Sequence, residues 1–215
     1  MAKRTEPPIY NRVAGTSLER LAALSDGVFA VAMTLLVLDL RVPAAAAVHD
    51  ERALVAALLA LAPRLLVYLM SVMTLGIFWV GQQTQLNHLR RGDRSLAWLH
   101  IGFLCAVSLL PFSTSLIAEF VTFRLALGIY WLNILVLGAL LYASWRHARR
   151  RGLTRDEVAN ELACAVERRI IFAQAFYAFG ALLCVATGTF WSLGFILLVQ
   201  LNYVFAPPIP LLRRL

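Results

Sequence analysis

Six apolar segments, each about as long as a helix that crosses a lipid bilayer, constrain the fold of this chain more than any other feature. They cover residues 21–40, 63–81, 96–118, 125–145, 170–187 and 190–206. A spanning helix needs about 20 mainly apolar residues, and a composition that is 60% hydrophobic and 15% charged lies outside the usual range of soluble domains. The sequence therefore predicts an all-α integral membrane protein with six spans in a single transmembrane domain, residues 1–215.

The basic residues predict the orientation of these spans. Sixteen of the 20 Lys and Arg residues lie in the N-terminal segment, in or next to the second and fourth connections, or near the C-terminus. Four lie on the other side: Arg41, Arg52, Arg64 and Arg124. Because cytoplasmic segments carry the excess of basic residues, we expect both termini to be cytoplasmic and the protein to lie in the plasma membrane. The net charge of +8 is explained by these topology determinants, so no nucleic-acid partner is expected.

Segments outside the six spans carry more local signals. The first twenty residues lack the apolar core of a removable signal peptide. Residues 51–62 read as an outer interfacial helix that bends into the membrane at Pro63, with a single long tilted helix as the alternative.

Two pairs of residues have the spacing of a helix capping box. Thr16 and Glu19 predict the start of the first span, and Thr154 and Glu157 predict a short cytoplasmic amphipathic helix over about 154–169.

Catalytic and metal-binding motifs are missing from the sequence. The three cysteines, Cys105, Cys164 and Cys184, have no paired spacing of the kind that holds zinc. No metalloprotease, nucleophile-elbow or clustered-acid motif occurs. We therefore expect a protein that is not an enzyme and that carries neither a cofactor nor a bound metal.

The first span combines an apolar stripe with one acid. At 100° per residue, Leu24, Val31, Leu35 and Leu38 share a face, with Gly27 and Thr34 on its flank, whereas Asp26 lies on the opposite face beside Met33. A charged group near the bilayer interior is unfavourable by at least about 2.5 kcal/mol unless protein or water surrounds it. We therefore expect the Asp26 face to pack against other helices.

Polar residues at the depth of Asp26 are candidates to donate hydrogen bonds to it. They are Gln82, Gln83, Asn87 and His100, at the ends of the second and third spans. A buried polar cluster that holds the first span to the next two is the favoured interpretation. A direct ion ligand or a proton carrier at Asp26 is the alternative.

The first three spans resemble a known family. Arg20, followed after three residues by Leu24-Ser25-Asp26-Gly27 and "VFAVAMTLLVLDL", resembles the R-x-x-x-F-S-D signature of the transmembrane protein 175 family, in its bacterial six-span branch. The stretches "GIFWVGQQ" and "LLPFSTSL" add to the resemblance. Three positions depart from the family pattern: Leu24 replaces its Phe, Gln82-Gln83 its His pair, and His100 its Asn.

This resemblance implies a leak-like, potassium-selective channel, a homotetramer in which the first helix of each subunit lines a central pore. It implies that Val31 forms the narrowest apolar ring, followed outward by Thr34 as a candidate selectivity residue and by Leu35 and Leu38. Asp39 would lie at the outer mouth. The implied partners are other copies of the chain, the bilayer and potassium ions.

The same resemblance gives Arg20, Ser25 and Asp26 a supporting role, with Gln82, Gln83 and His100 in the same polar network. A filter loop of the Thr-Val-Gly-Tyr-Gly type is absent from the sequence, so side chains of the first helix would form the constriction. A proton-conducting channel and a secondary transporter that uses polar residues such as Asn133, Gln174 and Gln200 remain the alternative functions.

Overall fold

The computed structural model describes residues 17–156 and 160–205. The helices of this part of the chain are Leu18–Leu36 (α1), Glu51–Ala60 (α2), Ala62–Asn87 (α3), Arg94–Glu119 (α4), Arg124–Arg150 (α5), Asn160–Thr187 (α6) and Thr189–Phe205 (α7). Five of them, α1 and α3 to α6, are long and apolar enough to cross a membrane, and α7 is a shorter apolar helix. The prediction of an all-α membrane protein is confirmed.

The pore-helix candidate α1 packs on α3 and α4, and the remaining helices extend the bundle away from it. Helix α5 packs on α4 and α6, and α7 closes the bundle against α6 and α3. Phe103 of α4 lies between Phe29 of α1 and Phe78 of α3, with ring centroids 6.1 and 6.3 Å apart. Since lipid is as apolar as these rings, their close contact stabilises the packing more than exclusion of water does.

Two arginine-rich connections lie together at one end of the bundle. The backbone N–H of Arg90, in the α3–α4 connection, donates to the carbonyl of Leu153 at 2.8 Å, and Arg155 N–H donates to the His88 carbonyl at 3.0 Å. A small apolar cluster beneath them includes Leu89 and Leu153. The two connections therefore share one side of the bundle, as the charge distribution predicts.

The α2–α3 boundary agrees with a bend at Pro63. Asp50 caps α2 by accepting a hydrogen bond from the Ala53 N–H at 2.7 Å. The helix is interrupted at Leu61, and α3 then begins with Pro63 in its first turn. The alternative of one long helix is wrong, because Pro63 is accommodated as the start of a helix and not in the interior of one.

The start of α1 and the course of α6 differ from the predictions. Ser17 caps α1, its hydroxyl accepting from the Arg20 N–H at 3.3 Å, and Thr16 lies outside the described residues. Glu157 also lies outside them, and α6 runs unbroken past Arg169 into the predicted span. The prediction of a separate amphipathic helix ending near Arg169 is wrong, because residues 160–170 contain no Gly or Pro to end the helix.

Gly188 forms the whole connection between α6 and α7. Its φ is 96°, a left-handed value that residues with a Cβ rarely adopt. A glycine at this position permits the sharp reversal that brings α7 back against α6.

Candidate functional site

Helix α1 has one buried face and leaves the rest of its circumference uncovered within the subunit. The buried residues recur every three or four positions, as expected for a helix face in contact with a core: Leu21, Ser25, Phe29, Ala32 and Leu36. This packing face is neither the predicted apolar stripe nor the face of Asp26, but a third face between them. Because α1 carries apolar residues on every face, its hydrophobic pattern gives little contrast from which to choose the packing face.

The predicted stripe is exposed along its length. Val31 is 58% exposed and Leu35 44%, while Leu38, in a 3₁₀ turn that follows α1, is 69% exposed. Met33, the residue expected on the opposite side, is half-buried and packs against the core. The subunit therefore presents the stripe residues outward.

The Thr34 hydroxyl donates to the carbonyl of Val31 at 2.8 Å. A hydroxyl bonded in this way has used its only hydrogen but keeps lone pairs on its oxygen. Thr34 is exposed, so this oxygen is available to accept from water or to contact a cation.

Asp39 is held by a residue that sequence reasoning missed. Ser115 of α4 has its hydroxyl 2.8 and 2.7 Å from the two carboxylate oxygens of Asp39, and 3.0 Å from the Pro111 carbonyl. The half-buried Asp39 carboxylate is thereby attached to α4. Ser115 is the second serine of "LLPFSTSL". The sequence gave no signal of its role, because a serine within a span most often bonds to its own helix.

Asp26 lies on an exposed face of α1 but has two donors from α3. Its Oδ1 accepts from Trp79 Nε1 at 2.8 Å and from Gln83 Nε2 at 2.9 Å. Gln83 is among the expected donors, and Trp79 is not. Gln82 and His100 do not contact Asp26, and Asn87 is exposed at the end of α3.

Ser25, next to Asp26 in sequence, forms the buried cluster instead. It is fully buried, and its Oγ lies 2.6 Å from His100 Nε2 and accepts from Gln82 Nε2 at 2.9 Å. The same hydroxyl lies 2.7 Å from the Leu21 carbonyl. The expected single network is therefore two clusters, one around Ser25 and one around Asp26, and together they join α1 to α3 and α4.

Arg20 does not join either cluster. It is exposed in the first turn of α1, and within the described residues its side chain makes no hydrogen bond or ion pair. Its predicted contact with the polar network is absent from this part of the chain.

Other intramembrane polar residues join neighbouring helices. Fully buried Gln200 of α7 donates to Thr74 of α3 at 2.7 Å, and Asn133 of α5 donates to Ser113 of α4 at 3.3 Å. The first contact belongs to a larger buried network, because the Thr74 hydroxyl also lies 3.1 Å from the hydroxyl of Tyr130 of α5. These hydrogen bonds join α3, α4, α5 and α7.

Within the described residues, no group of three or more His, Cys, Asp or Glu side chains is placed to hold a metal ion. The exposed α1 stripe and its polar supports form the candidate functional site.

Comparison with known proteins finds relatives over nearly the whole chain. Residues 20–111 match the family described as endosomal/lysosomal potassium channel TMEM175. A protein named as a potassium channel in Streptomyces collinus is 33% identical over 192 residues, which cover 87% of this chain and 84% of that protein. The human protein named endosomal/lysosomal proton channel TMEM175 is 39% identical over 100 residues, which cover 20% of its length.

A solved structure has a similar fold. It is the crystal structure of a lysosomal potassium-selective channel TMEM175 homolog from Chamaesiphon minutus, and it matches with a TM-score of 0.74 at 26% identity. The match covers 88% of this chain and 97% of that one.

Proposed function

This chain belongs to the TMEM175 family, and we propose that it forms a potassium-selective, leak-like channel in which several copies of α1 surround a pore. Four copies are proposed, as the family resemblance implies. The observation that carries the proposal is the exposed stripe of Val31, Leu35 and Leu38 on a helix otherwise held firmly by α3 and α4. A stripe of this kind encloses a pore only when copies are arranged around an axis.

The narrowest part of the proposed pore is a ring of Val31 side chains. A short apolar constriction excludes water when its radius is small, and an ion cannot cross it without losing hydration. Such a ring limits flow passively and needs neither a cofactor nor a catalytic group. Potassium is the permeant ion of the proposal, not a resident ligand.

Thr34 is proposed to lower the barrier next to this ring. Its hydroxyl hydrogen is directed to the Val31 carbonyl, so four oxygens with free lone pairs would face the axis. They can replace part of the hydration shell of a cation but not of an anion. Asp39, fixed by Ser115, is proposed to raise the cation concentration at the outer mouth.

The proposed location is the plasma membrane with both termini cytoplasmic. The support is the 16 to four distribution of basic residues, together with the hydrogen bonds that keep two arginine-rich connections at one end of the bundle.

Proton conduction is the second candidate, because the human relative is named a proton channel. One experiment separates the candidates: the purified protein in a lipid bilayer, recorded first under a potassium-to-sodium gradient and then under a pH gradient with equal potassium. The channel proposal expects resolvable unitary currents that reverse near the potassium equilibrium potential. A reversal potential that follows only the pH gradient would show that protons, and not potassium ions, permeate. Absence of unitary currents under both gradients would favour a transporter.

A further inference from the structure

A groove between α3, α6 and α7 lies at the end of the bundle that carries the arginine-rich connections. Its volume is about 550 Å³, within the usual range of small-molecule sites. Most of its lining is apolar and comes from Ile77, Val80, Ile170, Ala173 and Val204. Val80 and Val204 are exposed, so the groove opens to the surface of the subunit.

The groove has a cation at one end. Arg169 lines it, with its guanidinium carbon 5.5 Å from the centre of the Tyr203 ring, and it makes no ion pair within the described residues. The neighbouring Arg168 is also exposed but does not line the groove. A ligand in the groove would therefore have an apolar body and meet a positive charge at the arginine-rich end.

A polar atom without a partner lies within the apolar part of the groove. Gln174 lines the groove beyond Ile170 and Ala173, and its buried Oε1 has no hydrogen-bond partner among the described residues. It lies five positions after Arg169, about 7.5 Å along the helix at 1.5 Å per residue. The wall on α6 thus carries one charge and then a mainly apolar surface with a single unpaired amide oxygen, which suits a ligand with an anionic head and an apolar tail.

We propose that this groove binds an anionic phospholipid, with the phosphate at Arg169 and an acyl chain along α3 and α6. Anionic lipid is favoured over zwitterionic lipid because Arg169 has no carboxylate to neutralise it, and basic sites between membrane helices take anionic headgroups. The apolar part of the groove binds the acyl chain of the lipid. Because only one end of the groove is charged, the orientation of the lipid is fixed.

Trp79 connects this lipid site to α1. Trp79 lines the groove, and its Nε1–H donates to Asp26 at 2.8 Å. A lipid in the groove would therefore lie beside the residue that supports the Asp26 face of α1. The site exists whether or not the chain conducts potassium, and its test requires no ion flux.

The test is native mass spectrometry of the purified full-length protein, incubated with phosphatidylglycerol or with phosphatidylcholine of the same acyl chains. We expect phosphatidylglycerol to be retained about tenfold better. Both lipids carry the phosphate, but the choline ammonium of phosphatidylcholine cancels the net negative charge that attracts Arg169. Arg169→Gln should abolish this preference and Arg169→Lys should keep most of it. Arg168→Gln is the matched control and should leave the preference unchanged.

A second variant tests the apolar part of the groove. Ala173→Trp fills the groove and should reduce retention of both lipids, with the oligomer mass and melting temperature unchanged. Equal retention of both lipids by the wild type, or equal effects of the Arg168 and Arg169 variants, would overturn the proposal. A change of oligomer mass in Ala173→Trp, without any lipid preference in the wild type, would instead show that a second copy of the chain covers the groove.

Discussion

Val31 and Met33 are two residues apart in sequence but have different surroundings. Val31 is 58% exposed on the stripe, whereas Met33 packs partly into the core. If Val31 forms a dry ring, Val31→Asn lets water persist there and lowers the barrier to ions. We expect a higher basal conductance, about tenfold for each 1.4 kcal/mol removed from the barrier, and weaker discrimination between potassium and sodium. Unitary current and reversal potential measure both effects.

Met33→Asn is the matched control for this prediction. It adds the same amide to the same helix, but against the core, so it should lower stability without raising conductance. Equal effects of the two variants, or no gain of conductance with Val31→Asn, would show that another face of α1 lines the pore.

Some of these contacts could be predicted from the sequence and others could not. The stripe positions and Gln83 as a donor could be inferred from 100° spacing and depth. The choice between Ser25 and Asp26 as the buried polar group could not, because adjacent residues have similar depth. Ser25 donates within its own helix and fits a tight contact with His100, whereas Asp26 needs only two donors from α3 to remain on an open face.

At the scale of helices, Asp26 holds α1 against α3. Asp26→Ala removes the acceptor of both Trp79 and Gln83, so we expect the contact between the two helices to weaken by about 1 kcal/mol. For a chain of this size, that is a fall of roughly 2–4 °C in melting temperature, and we expect less oligomer in mild detergent. Size-exclusion chromatography and thermal melting measure the two effects.

Asp26→Asn keeps one carbonyl oxygen and serves as the control, with an intermediate effect. Normal stability and oligomer size in Asp26→Ala, together with altered ion preference, would contradict this supporting role and make Asp26 a direct ligand of the ion.

The cap of α4 contacts the last turn of α5 and predicts a pH dependence. Asp93 accepts from the Leu96 N–H at 2.7 Å and pairs with His147 at 2.9 Å. Burial raises the pKa of Asp93, but these two hydrogen bonds, together with the charges of His147 and Arg151, hold that pKa below its ordinary value. A carboxyl group with a lowered pKa stabilises the fold above its unfolded pKa, near 4, and loses this contribution as the pH falls through its folded pKa.

Asp93→Asn keeps a capping side chain but cannot ionise. Its melting temperature should lie below that of the wild type at pH 7, by the equivalent of about 1 kcal/mol or less. The two curves should converge as the pH falls below about 4. A constant difference across this range would assign the effect to packing at the cap and not to the charge of Asp93.

Helix positions were largely predictable from apolar length, whereas helix ends were not. The segment 170–187 was recognised as a span, but α6 already includes Asn160, because the residues from Asn160 to Arg169 contain neither Gly nor Pro and continue the helix beyond the apolar segment. Ser17, next to the predicted cap Thr16, caps α1. Serine and threonine side chains both suit a cap position, so the backbone conformation decides which of the two residues takes it.

For the whole molecule, the distribution of basic residues predicts the sidedness. Because 16 of the 20 basic residues flank one side, a cysteine added at either terminus should react with an impermeant thiol reagent only after the cells are opened. The three native cysteines are first replaced by serine so that only the added thiol reports. Labelling of either terminus in intact cells would contradict the topology and reverse the proposed inner and outer mouths.

Assembly follows from the faces that a single subunit leaves uncovered. Lipid alone could cover the Val31 stripe, so an exposed apolar face does not by itself require a second copy. Asp26 is different: it lies on the other uncovered face of α1, and a carboxylate in contact with acyl chains is strongly unfavourable. Both faces are satisfied together when copies of α1 meet around an axis, because the neighbouring copy then covers Asp26 and the stripe borders the pore.

We therefore expect native mass spectrometry in mild detergent to give a mass of four subunits. Asp26→Ala should dissociate this oligomer more readily than Val31→Ala does, since Val31→Ala only widens the ring that borders the pore and leaves the covered Asp26 face intact. A stable monomer of the wild type, or equal dissociation by the two variants, would contradict the arrangement of α1 around a shared axis.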